Sequence, residues 1–186
     1  VLNFANLKTL STFALLVCVV VACKQTSSPG NSPTLKSPDG KFQITVPDDW
    51  TAQSPLDEGE IIKAANKLGD IAVVVAFEKK TDLADDMTID KYADTVRDKM
   101  LAKGNTTDAT RPESIKVNGS EARQFEVNRE PTKYMCLFTV VEAPEGFHRI
   151  AACAPSPKYQ ESKAVLRQLT ESFRAVPAAG SDSAPK

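Results

Sequence analysis

The chain has 186 residues, 23 basic against 24 acidic, one histidine and a formal net charge of −1. That near-neutral balance leaves no electrostatic footprint for nucleic acid and no polybasic patch for anionic lipid. Beyond an apolar N-terminal stretch, about 150 residues remain, enough for one domain with a real core, and no internal repeat divides them.

The first 22 residues carry one charge, Lys8, and no acid. From Thr9 to Ala22 the chain is almost wholly apolar or small. That run has the length of a signal-peptide core and falls short of the ~20 residues a membrane span takes. It closes on Val20-Val21-Ala22-Cys23. This resembles the bacterial lipobox, and the small Ala22 suits a peptidase that must approach the backbone closely. The resemblance implies that the Cys23 sulfur receives diacylglycerol and that cleavage before it removes residues 1–22 as a signal peptide. The alternative is an uncleaved apolar helix containing a cysteine. Against it, Cys23 sits where the apolar run stops and a polar segment begins. A diacylated cysteine supplies the two chains that stable anchoring requires. The residue after it is Lys24. In Gram-negative lipoproteins an aspartate there marks inner-membrane retention, so Lys24 favours the outer membrane. The chain is thus expected to be membrane-anchored and extracytoplasmic. Without residues 1–22 it carries 22 basic and 24 acidic residues, a formal charge of −2.

Residues 23–36 read as the lipidated cysteine and a tether. The segment from Lys24 to Leu35 is rich in Ser, Pro and Thr and has nothing to bury. If flexible, it reaches ~20 Å. A single globular domain is expected over 37–176 and a disordered tail over 177–186. Within the domain, Phe42, Ile44 and Val46 alternate with Lys41, Gln43 and Thr45, which predicts a strand with one buried face, stopped by Pro47-Asp48-Asp49. Glu60–Ala65 and Asp70–Phe77 read as strands around Asn66-Lys67-Leu68-Gly69. The second is apolar on both faces, which predicts a central strand covered on both sides. Thr88 is a candidate helix N-cap, with Asp90 in the first turn. Ile89, Tyr92, Ala93, Val96, Met100 and Leu101 then recur at helical spacing, and Gly104 fits the position past the end. Ser114–Val117, Asn118-Gly119 and Ser120–Asn128 form a hairpin, because Asn-Gly takes the positive φ angles of a two-residue turn.

Tyr134–Glu142 and Phe147–Ala154 predict a second hairpin around Ala143-Pro144-Glu145-Gly146. An even loop centred there sets Cys136 directly opposite Cys153. Opposed residues at non-hydrogen-bonded sites come close enough for a disulfide, and an exported compartment permits one. The other reading is two small buried thiols on neighbouring strands. The last helix is expected to open at Ser156-Pro157 and to bury Tyr159, Val165, Leu166, Leu169 and Phe173. The order is β-β-β-α-β-β-β-β-α. This is an α+β domain, a largely antiparallel sheet flanked by helices.

The segment Asp39-Gly40-Lys41-Phe42-Gln43-Ile44-Thr45-Val46-Pro47-Asp48-Asp49-Trp50 resembles the opening strand of the PsbP-like superfamily, where a Gly-led strand ends in a proline and then an aromatic. The order of elements fits over about Ser37 to Val176. The chain is most similar to DcrB-type envelope lipoproteins, which share a lipobox, a tether and a related Asp-Gly-Lys strand. The resemblance implies a non-enzymatic domain, in a superfamily whose members share a fold and differ in partners. The Cys136–Cys153 pair is not a feature of that resemblance.

The chemistry-bearing residues are few. His148 is the only histidine, too few for the clusters typical of zinc sites, and reads as structural or surface rather than as a general base. Asp82, Asp85, Asp86 and Asp90 supply carboxylates that calcium would take, without the spacing of an EF-hand loop. Asp90 serves the helix dipole better. Glu145, Asp48 and Asp49 stand at turns, where acids are ordinary. Trp50 could stack on a ligand or cap the core. No serine lies in a nucleophile elbow, and the dispersed glycines make no phosphate-cradling loop. No catalytic residue, metal site or cofactor is assigned. Two functions remain. One is an anchored interaction or assembly module that binds another envelope protein. The other is an envelope ligand- or ion-binding protein, which would need a cavity between sheet and helix. Arg123, Arg129 and Arg149 are its candidates for an anion site, against the plainer reading of solvated strand faces.

Overall fold

The computed structural model describes residues 32–54, 56–102, 106–130 and 132–176. The signal segment, Cys23 and Lys24, most of the tether, Gly104 and the tail after residue 176 lie outside the described residues.

Two short strands, β1 (Thr34–Lys36) and β2 (Phe42–Thr45), open the fold, with Leu35 opposite Ile44. Thr34–Lys36 therefore belongs to the fold and not to the tether. Three residues are too few to show a period, and this strand exists only through its pairing partner. In β2 the alternation does what it predicts: Ile44 and then Val46 are sealed from solvent while Lys41 is exposed. Trp50 is buried against the same core. The strands β3 (Thr51–Ala52), β4 (Glu60–Ala65) and β5 (Ala72–Lys79) follow. Val73 and Val75 are fully buried, but Ala72 and Val74 on the other face of β5 are only half-buried. Ala76 on that second face is buried, and Phe77, in line with Val73 and Val75, is half-buried, so the cover expected over both faces is partial on each.

Helix α1 (Ile89–Ala102) starts where Thr88 Oγ1 accepts the Lys91 backbone N–H at 3.3 Å, the bond that defines an N-cap. It buries Tyr92, Ala93 and Val96, whereas Leu101 turns outward at the exposed end. The strand β6 (Thr106–Ala109) precedes the hairpin of β7 (Glu113–Val117) and β8 (Ser120–Arg129). Asn118 at φ 48° and Gly119 at φ 85° form its two-residue turn. The second hairpin joins β9 (Tyr134–Ala143) to β10 (Gly146–Pro155), with Cys136 opposite Cys153. Helix α2 (Tyr159–Ser172) does not begin at Ser156 as the sequence pattern predicts. Ser156–Lys158 forms a 3₁₀ turn instead, with no side-chain cap, and the Ser156 hydroxyl is buried without a partner among the described residues. Tyr159, Ser162, Leu166 and Leu169 make the buried stripe of α2, and Val165 lies outside it. A last short strand, β11 (Arg174–Ala175), pairs with β2.

The ladders are antiparallel throughout. A large sheet runs β3-β4-β5-β10-β9-β8, and its last edge is shared: β6 pairs with residues 127–129 of β8 and β7 with residues 120–124. A small sheet runs β1-β2-β11. One core lies between the large sheet, α2 and the small sheet, around Ile44, Val75, Ile150 and Leu166. A second lies under α1, around Tyr92, Phe125, Phe138 and Phe147. This is the expected α+β arrangement, an antiparallel sheet with helices, augmented by four strands too short for the sequence to announce: β1, β3, β6 and β11.

Candidate functional site

Alternation along β10 decides which side chains meet. His148, Ile150, Ala152 and Ala154 share the face toward α2 and the small sheet, while Phe147, Ala151 and Cys153 face α1. His148 is opposite Phe77 on β5 and Val141 on β9. The small sheet brings Phe42 over it, and the end of α2 brings Phe173. The ring centroids of Phe42, Phe77 and Phe173 stand 4.2, 4.7 and 5.0 Å from that of His148. The imidazole is 1% exposed, and neither ring nitrogen has a hydrogen-bond partner among the described residues. Burial disfavours the imidazolium and lowers its pKa from 6.5 to about 4, against a weak opposing pull from the Asp39 carboxylate. His148 is therefore neutral at physiological pH.

Beside this ring opens a cavity of about 610 Å³. Its floor is Phe77, Val141 and His148 of the large sheet, and its roof is Phe42 with Ala175 and Val176. Val117 and Asn118 close one side, and Ala143-Pro144-Glu145 the other. Two sets of hydrogen bonds hold the roof. The Thr45 N–H donates to the Ser172 hydroxyl at 3.0 Å, whose own proton lies between the Leu169 carbonyl at 2.8 Å and the Thr45 carbonyl at 3.1 Å. Asn118 Nδ2 donates to the carbonyls of Glu171 at 2.8 Å and Phe173 at 2.7 Å. Gly146 shapes the floor. A Cβ there would lie 2.1 Å from the Glu78 carbonyl oxygen and 2.7 Å from Phe77 Cε2, so only glycine lets the Phe77 ring lie where it does.

The arginines read as a candidate anion site do not converge on this cavity. Arg123, on the strand face toward α1, gives its Nε–H to Asp90 Oδ1 at 2.5 Å. That hydrogen bond holds the Asp90 carboxyl below its usual range. Arg149 stands on the α1 side of β10, opposite Val140, and Arg129 is at the far end of β8. Asp86 is paired with Lys91 in turn. Two of the four acids of the acidic stretch, Asp86 and Asp90, are thus paired with separate cations, and among the described residues no group of three or more ligand-type side chains gathers to hold a metal. On the same α1 side, Cys136 and Cys153 are joined by a disulfide.

No protein-family model matches the sequence. No curated protein matches it significantly either. Solved structures do. The solution structure of cyanobacterial PsbP (CyanoP) from Synechocystis superposes with a TM-score of 0.55 at 12% identity, over 80% of this chain and 96% of that one. The fold is PsbP-like. The Asp39–Trp50 segment and the order of elements pointed to that superfamily, and the shared architecture now carries the likeness over most of the chain. LpqN of Mycobacterium tuberculosis, described as involved in cell envelope biogenesis, superposes with a TM-score of 0.49 at 12% identity, over 78% of this chain and 90% of that one. A PsbP-like fold brings no activity with it, so function is argued from the cavity. His148 was legible in part: its parity with Ile150, Ala152 and Ala154 marks it as inward-facing. The phenylalanines around it come from three distant segments, and no local signal joins them.

Proposed function

We propose that this chain is a non-enzymatic binding domain of the bacterial cell envelope, of the DcrB type, held at a membrane through lipidated Cys23 and binding its ligand in the cavity beside His148. The cavity carries this reading. It has the volume of small-molecule sites, walls in which Phe42, Phe77, Val117, Val141 and Phe173 stand beside Lys41, Glu142, Glu145 and Arg174, and a buried imidazole with no partner among the described residues. An enzymatic reading finds less support. His148 is hydrogen-bonded to no nucleophile and no orienting carboxylate among the described residues, and it is held neutral by burial rather than poised near pH 7. The anchor and the envelope setting rest on the Val20–Cys23 sequence and on the tether after it.

Native mass spectrometry of the full chain, isolated from the envelope fraction of its host, tests the binding reading. A bound small molecule is expected in the wild type and not in Ala143→Trp, where the indole fills the cavity mouth. A ligand-free mass in both, or retention of the molecule in the variant, would count against it.

A further inference from the structure

Among the described residues that line the cavity, His148 is the one with buried side-chain polar atoms that have no partner. A neutral imidazole has one N–H donor and one nitrogen acceptor. Buried polar atoms are normally satisfied, and leaving one without a partner costs about 1–3 kcal/mol. Here both ring nitrogens lack one among the described residues. The ring is fixed by contact with Phe42, Phe77 and Phe173, so it cannot turn to seek a partner elsewhere without repacking that cluster. The cavity lies against it.

Resting on the binding reading above, we propose that the cavity takes an uncharged, largely apolar molecule carrying one hydrogen-bonding group, and that this group meets the imidazole of His148. The apolar body follows from the walls, which at the inner end are phenylalanine rings and Val141. The absence of charge follows from what surrounds the imidazole. At the imidazole itself a carboxylate or ammonium would lose its hydration beside three aromatic rings, and the charged side chains elsewhere in the lining, Lys41 and Arg174 against Glu142 and Glu145, balance in sign and favour neither. Asp39 acts on His148 through space only, and its carboxylate accepts from Ser37 Oγ at 2.6 Å. The size also fits. A cavity of about 610 Å³ holds a molecule of two or three fused or linked rings, or a medium-length alkyl chain with a hydroxyl.

The test uses the full chain and two fluorescent probes. N-phenylnaphthylamine is neutral, apolar and has one N–H. Anilinonaphthalene sulfonate has the same rings and a negative charge. Saturable binding of the neutral probe is expected, with the anionic one at least tenfold weaker, a difference of about 1.4 kcal/mol. His148→Phe is expected to weaken the neutral probe about tenfold, and His148→Gln less. Because the protein has a single histidine, its imidazole nitrogen signals are unambiguous by NMR, and they are expected to shift on adding the neutral probe. That measurement stands even if His148→Phe folds poorly. Unmoved imidazole signals, or equal affinity for the two probes, would overturn the proposal while the cavity remains a binding site. Failure of both probes to bind, or binding untouched by Ala143→Trp, would overturn the binding reading with it.

Discussion

His148 and Phe42 face each other across the gap between the two sheets, their ring centroids 4.2 Å apart and their planes inclined by 58°. A titratable ring held in that position must make stability depend on pH. Its pKa is depressed from 6.5 to about 4 by burial, so between these values the unfolded chain binds the proton that the folded chain refuses. The contribution of His148 is therefore fully present above pH 6.5 and is lost as pH falls toward 4. The loss is on the order of 3 kcal/mol in total. Urea midpoints measured across this window should fall with pH in the wild type and flatten in His148→Phe. An unchanged slope in the variant would assign the effect to carboxylates instead.

Gly146 is required by its neighbours and not by its own backbone angles. Gly146→Ala drives a methyl into the Glu78 carbonyl and the Phe77 ring. Overpacking of this kind costs about 1–3 kcal/mol, and the backbone clash puts this case at the upper end. Thermal melts should show a Tm drop of several degrees, and the displaced Phe77 should also weaken binding in the cavity. A variant as stable as the wild type would mean that Phe77 rests elsewhere.

Asn118 does two jobs, and two substitutions separate them. Asn118→Gly keeps the left-handed turn and loses the hydrogen bonds to Glu171 and Phe173. It should cost about 1–2 kcal/mol. Asn118→Ala loses the bonds and adds the strain of φ 48°, roughly 1 kcal/mol more. Denaturant midpoints should fall in the order Asn, Gly, Ala. The reverse order of the two variants would show that the turn changes type.

The disulfide closes a loop between residues 17 apart in sequence. In the chain-entropy model such a crosslink is worth about 3 kcal/mol. The double variant Cys136→Ser/Cys153→Ser should lose stability on that scale, and reductant should destabilise the wild type but not the variant. Two titratable thiols in unreduced protein taken from the envelope would rule the bridge out.

Cys23→Ser should abolish incorporation of a fatty-acid analogue and release the chain from the membrane fraction. Labelling that persists in the variant would remove the anchor from the functional reading.

The legible parts of this fold are the ones that local chemistry determines. Asn118-Gly119 announces its hairpin because few other pairs accept two positive φ angles. The centre of the β9–β10 turn follows from Pro144-Glu145, and with it the register that opposes Cys136 and Cys153. Thr88 reads as a cap because a hydroxyl at that place has an N–H to receive. What escapes is made by distant pairing. Thr51–Ala52 and Arg174–Ala175 are strands only because Ala64–Ala65 and Phe42–Gln43 lie beside them. Leu101 and Val165 carry helical spacing but fall at the margin of their stripes, where a shift of one residue moves a side chain by about 100°. The candidate site is illegible for the same reason. His148 and Phe77 are neighbours by sheet register, while Phe42 and Phe173 arrive from opposite ends of the domain.

Those opposite ends have a mechanical consequence. The small sheet is assembled from the first and last strands of the domain, with β2 between them. Any chain attached ahead of Thr34 leaves along β1, so a pull on it loads the β1–β2 ladder in shear before it reaches the large sheet. The strand that resists that load is the one that carries Phe42. A pull applied ahead of Thr34 is thus carried through β2 toward the roof over His148.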